Sequence, residues 1–127
     1  MRRDLPSLLS DVLTVKGVLA VAVVDESGEV RGEEAREPPG FSDAGPLVAS
    51  ALAASKVLGG FVGGDLQQTV IEYRGGPVVL APLPKSPGAT DPGSTGMVLV
   101  LRLASIADLG RIRFQLPRLL AQFAAAT

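Results

Sequence analysis

Two seven-residue runs constrain this chain more than anything else in it: VLAVAVV at Val18–Val24 and MVLVLRL at Met97–Leu103. Each is rich in Val and Leu and almost free of polar positions. A strand with one wet face alternates apolar and polar residues, and these do not. Both therefore read as central strands covered on both faces. Two such strands fit most simply side by side in one antiparallel sheet with helices on each face. The 127 residues amount to one domain's worth of chain, so 1–127 is read as a single domain.

The other elements fall into place around these runs. Asp4–Thr14 carries Leu5, Leu8, Leu9 and Val12 at helical spacing, with Asp4 as cap and Pro6 in the first turn. Asp25–Gly28 is a turn leading to a short strand, Glu29–Gly32, and then to a polar loop, Glu33–Pro46. A second helix is expected over Pro46–Leu58, capped by Ser42 or Asp43, and GGFVGGD after it reads as a flexible connection. Leu66–Arg74 alternates as a strand, with Thr69, Ile71 and Tyr73 on one face and Gln68, Val70 and Glu72 on the other. Gly75-Gly76 makes a hairpin turn into Pro77–Leu83. A Pro/Gly-rich loop, Pro84–Gly96, precedes the second central strand. Ser105 and Asp108 form a capping box for a last helix. Ile106, Leu109, Ile112, Leu116, Leu120 and Phe123 are its expected buried stripe, and Arg111 and Arg118 lie on its wet side. Arg113 falls at the edge of the apolar arc, Phe114 points away from it, and Pro117 is expected to kink the helix. The order is αββαβββα, an α+β chain.

Composition excludes much chemistry. There is no His and no Cys, which removes disulfides, thiol nucleophiles, the usual zinc sites and any histidine acid/base. Twelve basic residues against thirteen acidic ones leave no basic footprint for nucleic acid. Gly59 and Gly64 have P-loop spacing, but Asp65 follows where phosphate binding needs Lys. No catalytic residue, metal ligand or cofactor site is expected. Six acids lie between Asp25 and Glu37; they read as a solvated hairpin edge, or more sharply as a patch for a basic partner. Asp4 and Asp11 interrupt the apolar N-terminal run, and no stretch approaches ~20 uninterrupted apolar residues. The expectation is a cytoplasmic chain without membrane insertion.

The second helix carries the sharpest signal. On a helical wheel, Leu47, Val48, Ala51, Leu52 and Leu58 gather on one arc, expected to face the sheet. The opposite arc holds Ala49, Ser50, Ala53, Ala54 and Val57, with Lys56 at its margin, and Lys56 is the only charge between Asp43 and Asp65. One reading is an exposed Ala-rich face, which helix propensity tolerates. The preferred reading is burial against another protein surface, most simply the same helix of a second copy about a two-fold axis. The uncovered strand Leu66–Arg74, through Gln68, Val70 and Glu72, would pair with its symmetry mate. Arg113 and Phe114 are candidate partner-facing residues on the last helix.

These segments, taken in order, resemble the Roadblock-type domains of the dynein-light-chain and gliding-protein MglB superfamily. The resemblance rests on Val15-Lys16-Gly17-Val18, Ala20–Asp25 with the Ser27-Gly28 turn, and the small-residue second helix. It continues through Val70-Ile71-Glu72-Tyr73, Gly75-Gly76, Val78–Leu83 and Leu109-Gly110-Arg111-Ile112-Arg113. It implies a single five-stranded antiparallel sheet of order 2-1-5-4-3, with the second helix on one face and the two terminal helices on the other. It also implies a non-catalytic homodimer, paired through second helices and third strands, that binds and regulates or positions a small Ras-like GTPase. Two rivals stand beside this expectation: an assembly scaffold without effect on GTP hydrolysis, and a small-molecule sensor.

Overall fold

A computed structural model describes residues 4–84 and 94–126. Most of the loop expected between Pro84 and Gly96 lies outside the described residues. The elements are α1 (Leu5–Leu13), β1 (Val18–Val24), β2 (Val30–Ala35), α2 (Gly45–Val62), β3 (Thr69–Tyr73), β4 (Gly76–Pro84), β5 (Ser94–Leu103) and α3 (Leu109–Ala126), the last preceded by a 3-10 turn, Ile106–Asp108. The five strands form one antiparallel sheet in the order β2-β1-β5-β4-β3. The two apolar runs are neighbours near its centre, with Val21 opposite Leu101 and Val23 opposite Leu99.

Strand alternation divides the core into two layers. Val21, Val23, Leu99 and Leu101 join Leu8, Leu9 and Val12 of α1 and Ile112, Leu116, Leu119 and Phe123 of α3. Ala20, Ala22, Val24, Val98 and Val100 face the other way, toward Val48 and Leu52 of α2 and toward Phe41. The second layer is thinner, and its alanines let α2 approach the sheet.

Local signals set most boundaries. The Asp4 carboxylate accepts from the Ser7 N–H at 2.9 Å and caps α1. Ser105 accepts from Ala107 while Asp108 accepts from the Ser105 N–H, completing the capping box. Gly76 has φ +114°, and a Cβ there would stand 2.0 Å from the Leu103 carbonyl oxygen, so the hairpin turn needs glycine.

Several expectations are corrected. β2 runs to Ala35 rather than Gly32, and β3 begins at Thr69 rather than Leu66. Neither Ser42 nor Asp43 caps α2. Its N-cap is Ala44, and the Phe41 and Ser42 N–H groups instead donate to the Glu33 carboxylate reaching across from β2. The helix continues through Gly59-Gly60 to Val62 and ends at Gly63 in the left-handed conformation, whose N–H donates to Gly59. Each interior glycine costs only about 1 kcal/mol, which the helix tolerates. Extended this way, α2 is long and apolar enough to cross a membrane by length and composition alone, although its sequence held no run of the usual length. In the last helix Ile106 is exposed in the 3-10 turn, Leu119 is buried, and Leu120 is only half-buried. Pro117 lies inside a continuous α3 on its exposed side, where it has no N–H to donate to the Arg113 carbonyl one turn back.

The β1–β2 turn carries a measurable electrostatic signature. The Ser27 hydroxyl donates to Asp25 at 2.6 Å, the Ser27 and Glu29 N–H groups donate to the same oxygen, and Arg31 stands 3.7 Å away. The Ser27 hydroxyl, then the Glu29 N–H, hold the Asp25 carboxyl below the ordinary aspartate range. A depressed folded value means that the stabilisation is complete above the unfolded-state value. It is lost as pH falls through the folded one. An NMR titration is expected to place the Asp25 midpoint below that of an unstructured aspartate, and Ser27→Ala is expected to move it upward.

Candidate functional site

The exposed apolar surface is concentrated on α2. Only Gly45, Val48 and Leu52 of its 18 residues are buried. Ser55 also faces inward: its hydroxyl donates to the Ala51 carbonyl and accepts from the Thr69 hydroxyl at 2.8 Å, tying the helix to β3. The outward face carries Leu47, Ser50, Ala53, Ala54, Val57, Leu58 and Phe61. Leu47 is 73% and Phe61 85% exposed. No charged side chain interrupts this stripe.

The exposed stripe overlaps the outward arc read from the sequence but is not centred on it. Leu47 and Leu58, expected against the sheet, point away from it. Ser50, Ala53, Ala54 and Val57 are exposed as expected, whereas Ala49 is half-buried on the flank. Lys56 leaves the stripe and lines a cleft on the other side of the helix, together with Gln68. A wheel drawn over a helix made of Leu, Val and Ala cannot find the inward face, because every arc is apolar.

The stripe has a property that the shorter expected helix hid. Leu47 and Phe61 stand equally far before and after Ala54, as do Ser50 and Leu58. An antiparallel copy crossing at Ala54 would therefore set Leu47 against Phe61 and Ser50 against Leu58, with small residues at the closest approach. This is the self-complementarity that a two-fold contact requires.

Beside α2 lies β3, which pairs only with β4 and forms one edge of the sheet. Its Val70 side chain is committed to the α3-side core, and Ile71 to the α2-side core, so the edge presents mainly backbone; Glu72 is exposed. The opposite edge, β2, carries Arg31, Glu33 and Glu34, charges that discourage strand addition. The TVIEY edge of β3 carries one acid and no base.

On α3, Arg113 and Phe114 are both exposed, Phe114 at 87%. Arg111 is occupied, bonding Asp108 and the Lys16 carbonyl at 3.2 Å. Among the described residues, no group of three or more His, Cys, Asp or Glu side chains is arranged to hold a metal ion.

No family model matches the sequence, and no curated protein matches it either. Solved structures do. A Roadblock/LC7 domain from Streptomyces avermitilis is 17% identical, with 93% of this chain and 92% of that one covered at a TM-score of 0.74. An MglB solved in a tetrameric arrangement is 20% identical over 94% and 86% of the two chains, at 0.75. MglB of Myxococcus xanthus is 14% identical over 96% and 95%, also at 0.75. Across more than nine-tenths of its length, this chain has the fold of Roadblock/LC7 domains and MglB.

Proposed function

We propose that this chain is a non-catalytic Roadblock-type protein that forms a homodimer through α2 and β3 and binds and regulates or positions a small Ras-like GTPase. The observation that carries the pairing is the uncharged, self-complementary stripe on α2. Burying one Leu or Phe side chain is worth about 1.5–3 kcal/mol, and the stripe repeats each of them by symmetry. A stable interface buries about 1,600 Å² in total, more than one helix pair supplies, so the neighbouring β3 edge is part of the contact. The tetrameric arrangement of the similar MglB is in keeping with self-association. The GTPase part of the reading rests on the family resemblance of the sequence and on the shared fold.

The discriminating experiment adds the chain to the Ras-like GTPase encoded nearest its gene. GTP turnover is expected to change, with saturation at one dimer's worth of added protein. Binding with unchanged turnover would make the chain an assembly scaffold instead.

A further inference from the structure

The outward face of α3 works against its own helix. Gly110, Phe114 and Pro117 stand on it, all exposed, on the side away from the sheet. Gly and Pro are the two least favourable residues inside a helix. Crowding does not require the glycine, because a Cβ at Gly110 would meet nothing within 4 Å. Phe114 is 87% exposed, more than any other large apolar side chain among the described residues. Local choices that oppose a fold concentrate where the surface serves another purpose.

The same face is positive. α3 carries Arg111, Arg113 and Arg118 and no acid. Arg111 is paired with Asp108 in the turn before the helix. Arg118 bonds only the neutral Gln115 amide, and Arg113 makes no hydrogen bond or ion pair among the described residues. The acids of the neighbouring α1, Asp4 and Asp11, already have partners. Asp65 borders the cleft that Arg113 also lines, but from the α2 side and without pairing to it. Arg118 lies on one side of Phe114 and Arg113 on the other, so the excess charge on this helix surrounds its exposed aromatic ring.

We propose that the outward face of α3 docks an acidic amphipathic helix of a partner protein. Phe114 seats among the apolar side chains of that helix, and its carboxylates face Arg118 and Arg113 in charge-assisted bonds. An α-helix has no free backbone edge, so strand addition is excluded and side chains carry the recognition. Gly110, one turn before Phe114, and Ala121, two turns after it, keep the surface low on either side, which lets a second helix lie close. Aromatic and arginine side chains together are the combination that dominates protein contacts. A single ring is too little apolar surface to hold a lipid bilayer. The inference does not rest on the pairing of α2. The two helices cover opposite faces of the sheet, so α3 is open whether the chain is single or paired.

The test pans a displayed library of helical hairpins, randomised along one helix face, against the full chain. Selected binders are then measured by fluorescence anisotropy. The expected result is enrichment of Asp or Glu flanking Leu, Ile, Val or Phe, with affinity that falls as salt is added. Phe114→Ala and Arg118→Glu are each expected to weaken binding roughly tenfold or more, as loss of a central contact does. Both positions are exposed, so circular dichroism and oligomeric mass are expected to stay unchanged. Ala54→Arg is expected to leave the affinity per chain unaltered, which separates this surface from the α2 contact. Enrichment of basic helices, no enrichment at all, or full affinity in both α3 variants would overturn the proposal. So would tighter binding to phosphatidylglycerol vesicles than to any selected helix, which would make the face a lipid-binding one.

Discussion

Ala54→Arg is expected to turn a dimer into a folded monomer. Ala54 is the residue about which the outward stripe of α2 is symmetric, so a two-fold axis there brings each copy of residue 54 against the other. Arginine would place two guanidinium groups where two methyl groups meet. Juxtaposed like charges cost several kcal/mol, which weakens association by about a hundredfold or more. The fold itself should survive, because Ala54 is exposed within one chain and arginine is a good helix former. Ala54→Ser, which keeps the residue small, is expected to leave the dimer intact. Sizing with light scattering reads both outcomes, and circular dichroism verifies that the helices remain.

Phe123→Ala is expected to produce the largest loss of stability from a single side chain. Phe123 is fully buried, the largest side chain in that condition, and sits in the layer shared by α1, α3 and the sheet. Truncating a buried Phe removes its transfer free energy and leaves a cavity, costing about 3–5 kcal/mol. A domain of this size has only about 5–15 kcal/mol in total. The urea midpoint should fall sharply with little change in slope. Phe114→Ala makes the control: the same chemistry on the same helix, but 87% exposed, with an expected change within about 0.5 kcal/mol.

What the sequence made legible follows from how each signal works. The strands at Val18–Val24 and Met97–Leu103 were readable because only a doubly covered strand needs a continuous apolar run. The cap at Asp4, the Ser105–Asp108 box and the Gly75-Gly76 turn were readable because their chemistry is local. The orientation of α2 was not. Its inward face is set by Val48 and Leu52, whereas Leu47 and Leu58 are equally apolar and lie outside. Its length was hidden by Gly59-Gly60, which punctuate a helix weakly compared with Gly63, the residue whose left-handed conformation ends it. The Glu33 contacts at the helix entry join residues on different elements, which no local motif records. The cleft was out of reach for the same reason. It exists because β3 stops one strand-end short of β4, and that places Lys56, Gln68 and Arg113 around one opening.

Whether the outward face of α2 is covered by a second copy decides between a module that works in pairs and one that works alone. Light scattering on the unmodified chain at micromolar concentration measures this directly. The expected mass is twice 13.0 kDa. A single species at 13.0 kDa would contradict the pairing of α2 and β3, and with it the function built on that surface.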